Sequence, residues 1–284
     1  MNTHAQVNPA PETVVAYDGS PDAERAALWA ARLAAVSGEA VRAVIVMDPV
    51  DMPHGHPWPE PWWHEIEDRA RTQMTEAGAP LVKVERRTGP TTATLVDAAR
   101  SASMLVIGSR GHSWVGEFLL NSVSQRAARR ASCPVVVVRE AKDPLAHRVV
   151  VGVDGSEQSL RALDFGCRLA ALTDDTVSVL RAWRPGTVPV GEDGDVPVSL
   201  TTSVDHEKEI LEGVVASARL EHPGVAIEPD FCATDAGTAL VEASADADLV
   251  VVGTRRMTAV EEAVLGSVSQ HVLRHAHCTV AVVH

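Results

Sequence analysis

The sequence lacks any apolar run close to the roughly 20 residues that a membrane-spanning helix requires. Its polar start, Met1 to Pro11, does not show the basic and then apolar layout of a signal peptide. Excess positive charge is also missing, because the net charge is −13 at pH 7 and binding to phosphate backbones or anionic lipid depends on clustered Lys and Arg. We therefore expect a cytoplasmic protein with no nucleic-acid partner and no membrane partner.

Closely spaced cysteines are missing as well. No CxxC pair suggests a metal clamp or a dithiol redox couple, since the four cysteines are widely scattered: Cys133, Cys167, Cys232 and Cys278. In a cytoplasmic protein we expect them to be reduced thiols. Low-complexity tracts are absent and 45% of the residues are hydrophobic, which is typical of a folded globular protein. A chain of 284 residues has room for one large domain or two ordinary ones.

The chain contains two copies of one unit. A shift of 136 residues places Val14 to Ser20 (VVAYDGS) on Val150 to Ser156 (VVGVDGS). A shift of 145 residues places Asn121 to Gln125 on Gly266 to Gln270, so the second copy carries an insertion, which we place at Gly186 to Pro197. The sequence therefore predicts a first domain at 1–139, a second domain at 147–284 and a linker at 140–146.

Each copy alternates short apolar runs with amphipathic segments. In the first copy the pattern predicts strands at Val14–Tyr17, Val41–Met47, Leu81–Glu85, Met104–Gly108 and Val135–Val138. It predicts helices from Pro21, with Ser20 as the cap, and at Trp63–Ala77, Thr92–Ser101 and Ser122–Ala131. Continuously apolar strands indicate a parallel sheet with helices on both faces. We predict an α/β fold in which each domain is a doubly wound, five-stranded parallel sheet of order 3-2-1-4-5.

Two loops should meet where the carboxyl ends of strands 1 and 4 form a crevice. The loop after strand 1 reads Asp18-Gly19-Ser20 in the first copy and Asp154-Gly155-Ser156 in the second. A carboxylate there suits a ribose hydroxyl or an adenine amino group. The same three residues are also a common turn and helix cap, so the motif by itself leaves both interpretations open.

The loop after strand 4 has the features of a phosphate site. It runs from Gly108-x-x-Gly111 over nine residues to Asn121-Ser122, and in the second copy from Gly253-x-x-Arg256 over nine residues to Gly266-Ser267. Glycines let backbone amides approach an anion, and the start of a helix offers unpaired N–H groups. Arg110 and Arg255 occur at the same place in both loops and either steer phosphates or are solvated surface residues. Together the two loops predict a site for a nucleoside polyphosphate.

These motifs resemble the universal stress proteins in their tandem-domain form. The resemblance rests on the Asp-Gly-Ser opening, the Gly-x-x-Gly-x9-Gly-Ser pattern, the following Ser-Val-Ser and the ending His275-Ala276-His277-Cys278, and it covers both copies. It implies a flavodoxin-like (Rossmann-like) fold, ATP bound with or without Mg²⁺, no committed catalytic apparatus, pairing of like domains through the last strand, and a role in stress or dormancy.

The resemblance also implies which residues contact the nucleotide. Asp18 and Asp154 are assigned to the adenosine end. The ribose and phosphates are assigned to Gly108, Gly111, Ser122 and Val123 in the first copy and to Gly253, Gly266, Ser267 and Val268 in the second. If these assignments hold, substitution of Gly108 and Gly253 should abolish ATP binding and leave the fold intact.

Each copy departs once from the family pattern. Asn121 replaces the third glycine, and since asparagine tolerates left-handed backbone conformations we expect a weakened rather than a lost site. Arg256 replaces the second glycine, where it either clamps a phosphate or closes the pocket. We expect at least one competent site and favour the first copy.

Other functions stay open. No Walker GxxxxGKS motif and no recognisable set of acid, base and nucleophile is present, so we predict no catalytic residues, although a slow ATPase is an alternative. Decayed sites would instead leave a protein-interaction module that binds no nucleotide.

We predict no metal site, because Arg126 and Arg130 stand where His271 and His275 occur in the second copy. The Trp- and Pro-rich stretch 53–64 is a candidate lid or interface. The domains pair within one chain, and a homodimer is a further option.

Overall fold

The computed structural model describes residues 11–51, 59–109, 122–140, 146–184, 198–254 and 265–284. Within these ranges the first copy has five strands, β1 Glu12–Ala16, β2 Ala40–Met47, β3 Val82–Thr88, β4 Met104–Gly108 and β5 Val135–Val138. Its four helices are α1 Pro21–Ser37, α2 Glu60–Glu76, α3 Thr91–Ala98 and α4 Ser122–Arg130. The predicted linker 140–146, the stretch 53–64 and the insertion at 186–197 lie wholly or partly outside the described residues.

The second copy repeats this order. Its strands are β6 Arg148–Gly152, β7 Thr176–Ala182, β8 Ile227–Cys232, β9 Leu249–Gly253 and β10 Thr279–Val283. Its helices are α5 Glu157–Thr173, α6 Val198–Glu221, α7 Ala236–Ala243 and α8 Ser267–His275. None of the helices within the described ranges is both long enough and apolar enough to cross a membrane.

The ten strands of the described residues form one sheet of order β3-β2-β1-β4-β5-β10-β9-β6-β7-β8. The strands within each copy are parallel, so the predicted order 3-2-1-4-5 is confirmed in both. The two copies meet where β5 and β10 pair in antiparallel register, with Val137 opposite Val280 and Val135 opposite Val282. The pairing of like units through their last strands, which the family resemblance implies, therefore occurs within this chain.

The helices cover both faces of the sheet and bury two apolar layers. One layer packs α1, α2, α5 and α6 on the sheet, and the other packs α3, α4, α7 and α8 on the opposite face. Central strands face both layers, and all five residues of β4 are buried. This two-sided burial explains why these strands are apolar without alternation.

Helix α1 shows how local sequence starts and ends an element. Ser20 Oγ accepts a hydrogen bond from the N–H of Ala23 at 3.3 Å, and Pro21 follows as the first helical residue. The helix ends at Ser37, and the C-cap residue Gly38 has φ +76 and donates from its N–H to the carbonyl of Ala34. This start was predicted from the sequence and is confirmed.

Strand β3 is longer than predicted, since it continues past Glu85 to Thr88. It lies at the edge of the sheet, where the side chain of Arg86 pairs with Glu60 and Glu67 of α2. An edge strand needs only one apolar face, so charged residues extend it where the apolar pattern stops.

Candidate functional site

Strand register brings the predicted crevice residues to one edge of the sheet. In the first copy Val15 of β1 pairs with Val106 of β4. Asp18 and Gly108 follow these residues closely along the chain, so they lie together at the carboxyl ends of the two strands. In the second copy Val151 pairs with Val251, which places Asp154 and Gly253 in the same relation. The loops after strands 1 and 4 therefore lie at adjacent strand ends in both copies, as the predicted topology requires.

A cavity of about 70 Å³ lies at this edge in the first copy. Three of the predicted site residues line it together, namely Asp18, Gly108 and Val123. The remainder of its lining is largely apolar and comes from strand ends and α3: Ala16, Val44, Val46, Leu95 and Ile107. The arrangement suits a flat apolar group with polar contacts at its edge.

Asp18 has a structural role in its turn. Its Oδ1 accepts a hydrogen bond from the N–H of Ser20 at 2.9 Å, and Gly19 between them has φ +76. Asp154 repeats the turn, with Oδ1 accepting from the N–H of Ser156 at 3.0 Å and from its Oγ at 2.5 Å, and with Gly155 at φ +84. The aspartate holds the loop in shape by an Asx turn and presents its carboxylate at the strand end.

The expectation that Gly108 and Gly253 can be replaced without damage to the fold is wrong. A Cβ on Gly108 would lie 2.6 Å from the carbonyl carbon of Asp22, in the first turn of α1. A Cβ on Gly253 would lie 2.8 Å from the carbonyl carbon of Gln158, in the first turn of α5. Both glycines are therefore required for close packing of a helix start against a strand end, whatever they contribute to a ligand.

The helices after the glycine-rich loops start at the predicted serines. Helix α4 starts at Ser122 and α8 at Ser267, preceded by Gly266 as the N-cap, which provides no side-chain cap. Ser267 is exposed and Val268 half-buried, whereas Ser269 is buried and donates from Oγ to the carbonyl of Gly253 at 2.8 Å. The second serine of Ser-Val-Ser thus ties the helix to the strand end, and the first is left for solvent or a ligand.

Two polar residues of the cavity lining, Thr91 and Tyr17, were not predicted as site residues from the sequence. Thr91, the first residue of α3, lines the cavity, and its N–H donates to Asp48 Oδ2 at 3.1 Å. Backbone hydrogen bonds from Val50 and Thr91 lower the pKa of the Asp48 carboxyl below its usual value. Asp48 therefore caps α3 from the loop after β2. The only signal in the sequence was an aspartate directly after a strand.

Tyr17 also lines the cavity and is almost fully buried, with 2% of its surface exposed. Its hydroxyl donates to Gln73 Oε1 at 3.0 Å. Burial raises the pKa of the phenol to about 12, and the carboxylates of Glu24 and Asp18 act in the same direction. The side chain is therefore neutral at physiological pH and forms a buried part of the cavity wall.

The second crevice is packed differently. Gly152 is the repeat equivalent of Ala16, and the Cδ1 atom of Leu240 lies 3.0 Å from where a Cβ on Gly152 would be. Leu240 thus takes up part of the space that the Ala16 methyl group occupies in the first copy. The two crevices therefore differ in how the end of the first strand is packed.

Several predicted site residues lie outside the described part of the chain: Arg110, Gly111, Asn121 and Arg255, together with Arg256. Across the residues that the structure does describe, no group of three or more His, Cys, Asp and Glu side chains could hold a metal ion. The rings of His271 and His275 have centroids 4.6 Å apart and are tilted by 43° to each other.

Comparisons with known proteins place both copies in one family. The model of the universal stress protein family matches residues 12–139 and again 146–284. Universal stress protein Rv2005c of Mycobacterium tuberculosis is 31% identical over 287 residues, which is 95% of this chain and 95% of that protein.

One solved structure shows the same fold over nearly the whole chain. The crystal structure of a universal stress protein from Archaeoglobus fulgidus superposes with a TM-score of 0.68 at 19% identity, over 96% of this chain and 98% of that chain. The crystal structure of a universal stress protein in complex with cAMP is 26% identical, with a TM-score of 0.38, over 46% of this chain and 97% of that one. That second likeness is confined to about half of the chain.

Proposed function

Because the chain belongs to the universal stress protein family, we propose that its first crevice binds an adenine nucleotide, ATP. In this proposal the chain acts as a nucleotide-dependent stress or dormancy regulator in the cytoplasm. The observation that carries the proposal is the cavity that Asp18, Gly108 and Val123 line together at the ends of β1 and β4. A crevice at this switch point is where open α/β sheets bind ligands.

The shape of the crevice suggests how the nucleotide would lie. A cavity of about 70 Å³ is small for a whole nucleotide, so it suits the base or ribose end, with Asp18 as the acceptor for a hydroxyl or amino group. The phosphates would extend past Gly108 toward the first turn of α4, where the positive end of the helix dipole favours anions. Mg²⁺ would then accompany the phosphates rather than occupy a protein site of its own.

The first experiment is to denature freshly purified protein and to identify and count any released small molecule by chromatography and mass spectrometry. One adenine nucleotide per chain is the expected result, and two would mean that the second crevice also binds. No released nucleotide, together with no ATP binding in a calorimetric titration, would overturn the proposal and favour a protein-interaction module.

Matched variants in the two copies assign the site. Asp18→Asn keeps the acceptor of the turn but removes the charge, and Asp154→Asn makes the same change in the second copy. Val123→Trp fills the first cavity, and Val268→Trp is its equivalent. We expect the first member of each pair to lose the nucleotide and the second to keep it, with native circular dichroism in all four. Loss only in the second-copy variants would refute the assignment.

A regulatory rather than catalytic role is tested by turnover. We expect no multiple-turnover release of ADP above the uncatalysed rate. Steady ADP release that Asp18→Asn abolishes would instead establish a slow ATPase. The stress role is tested by whether Asp18→Asn restores survival of a deletion strain under starvation as well as the wild-type chain does, and failure to restore it is the expected result.

A further inference from the structure

A second cavity lies on the sheet face covered by α1 and α5, and it shares no lining residue with the crevice. It is a groove of about 720 Å³ between these two helices, over the junction of β5 and β10. Its walls are mainly apolar: Trp29, Leu33 and Val36 from α1, and Leu169 and Leu172 from α5, above Val149. Val36 is 60% exposed although it is apolar. The volume and lining are those of pockets that bind small organic ligands.

Two arginines of α1 line this groove with unused hydrogen-bonding capacity. Arg25 pairs with Asp22 through Nη2, but its Nε is buried and makes no hydrogen bond to any residue that the structure describes. Arg32 lines the same wall two turns later and is exposed, and within the described ranges no hydrogen bond or ion pair engages it. The Arg25 side chain is 37% exposed, so its guanidinium, like that of Arg32, can present N–H donors to an anionic oxygen in the groove.

Other charged groups of the groove are engaged or lie at its rim. Asp175 is held by His147 at 3.1 Å and by the Thr173 hydroxyl at 2.5 Å, and Asp248 accepts from the N–H of Arg148 at 3.3 Å. Arg139 donates to carbonyls at the end of α8, and Glu140 lies exposed where the described chain leaves β5. Arg25 and Arg32 are thus the guanidinium groups of the α1 wall, and Arg139 adds a third guanidinium to the lining.

The repeat shows that this arrangement is particular to the first copy. Arg161 is the equivalent of Arg25, and its Nε donates to the carbonyl of His284 at 3.0 Å. Arg168 is the equivalent of Arg32, and its Nε pairs with Asp164 at 3.2 Å. In α1 the place of Asp164 is taken by Leu28, which lines the groove. Because the first copy has leucine where the second has aspartate, Arg32 has no acidic partner at this position and the apolar wall is longer.

We propose that this groove binds an amphipathic carboxylate, a small molecule with an apolar body and one anionic end, at one molecule per chain. The apolar body lies against Trp29, Leu33, Leu169 and Leu172, and the carboxylate accepts hydrogen bonds from Arg25 and Arg32. The site is separate from the nucleotide crevice, so it holds whether or not the chain binds ATP.

Decanoate is the probe, titrated calorimetrically into the full chain, with decan-1-ol as the uncharged analogue. We expect saturable binding of one decanoate, and binding of decan-1-ol at least about tenfold weaker because a charge-assisted hydrogen bond is lost. Arg25→Gln combined with Arg32→Gln should weaken decanoate binding about tenfold or more. The matched control, Arg161→Gln with Arg168→Gln, removes the same charge from α5 and should leave the affinity unchanged.

A second variant guards against a folding artefact. Leu172→Trp fills the groove without a change of charge and should abolish decanoate binding while nucleotide content and circular dichroism stay as in the wild type. No saturable binding, or equal weakening by the two arginine pairs, would overturn the proposal. A dimer that does not bind decanoate would also overturn it. If sedimentation shows that the wild-type chain forms such a dimer and that Val36→Glu dissociates it, a second copy of the chain occupies the groove.

Discussion

The carbonyl carbon of Asp22 lies 2.6 Å from the position that a Cβ on Gly108 would take. The contact joins the first turn of α1 to the end of β4, at the same place where the Ser109 hydroxyl donates to Asp22 Oδ2 at 2.9 Å. A residue that a motif assigns to a phosphate is thus also a packing residue. Loss of binding in a Gly108 variant would by itself say little about the ligand.

Gly108→Ala should destabilise the protein by about 1 to 3 kcal/mol, because the added methyl group forces α1 away from the strand. The measurement is urea-induced unfolding followed by circular dichroism. Gly213→Ala is the matched control, since nothing lies within 4 Å of its Cβ position in α6, and there we expect a gain of about 0.5 to 1 kcal/mol. Equal midpoints for wild type and Gly108→Ala would contradict the close packing.

Tyr17 is the only tyrosine of the chain, so its ionisation can be followed by absorbance at 295 nm. Its pKa is raised to about 12 by burial, whereas a tyrosine in the unfolded chain ionises near 10. The unfolded state therefore loses its proton first, and the stability that Tyr17 contributes declines as the pH rises from about 10 to 12. Phenolate absorbance appearing near pH 10 in the folded protein would show that the side chain is solvated.

Asp48 should make stability depend on acid pH. Its pKa in the folded protein is lowered by the N–H groups of Val50 and Thr91. The stability that Asp48 contributes is therefore present above the pKa of the unfolded chain, near 3.9, and is lost as the pH falls through the pKa of the folded protein. We expect Asp48→Asn to reduce the free energy of unfolding at pH 7 by about 1 kcal/mol and to have a smaller effect at pH 3. Asp68→Asn, on the exposed side of α2, is the control for the change of charge. A constant difference at both pH values would rule out this role for Asp48.

The thiols should react slowly in the folded protein. All four cysteines are free, and burial raises the pKa of Cys133 to about 11 and of Cys167 and Cys278 to about 12. Only the half-buried Cys232 is accessible, so we expect at most one thiol per native chain to react with a disulfide reagent, against four after unfolding. Cys232→Ser should remove the native reaction. Rapid reaction of two or more thiols in the native protein would contradict the burial.

Much of the fold follows from local sequence. The apolar runs of β4 and β5 and the Ser20-Pro21 start of α1 were predicted at the observed residues, because burial on both faces and helix capping leave direct marks in the sequence. The meeting of Asp18 with Gly108 also followed, since strand order determines which carboxyl ends are neighbours. The domain boundaries and the nucleotide contacts stay predictions.

Other features depend on residues that are distant in the chain. Sequence alone could not show that Gly108 contacts Asp22, or that Asp48 caps α3, because both contacts form only when separate elements pack. Nor could it separate Arg25 from its repeat equivalent Arg161, since the difference lies in a carbonyl supplied by His284. The sequence by itself determined the duplication, the order of elements and the crevice at the strand ends, which rest on periodicity and topology. Only the tertiary structure decided which polar groups find partners and which glycines are needed for packing, because those depend on distances of a few ångströms between segments that the chain brings together.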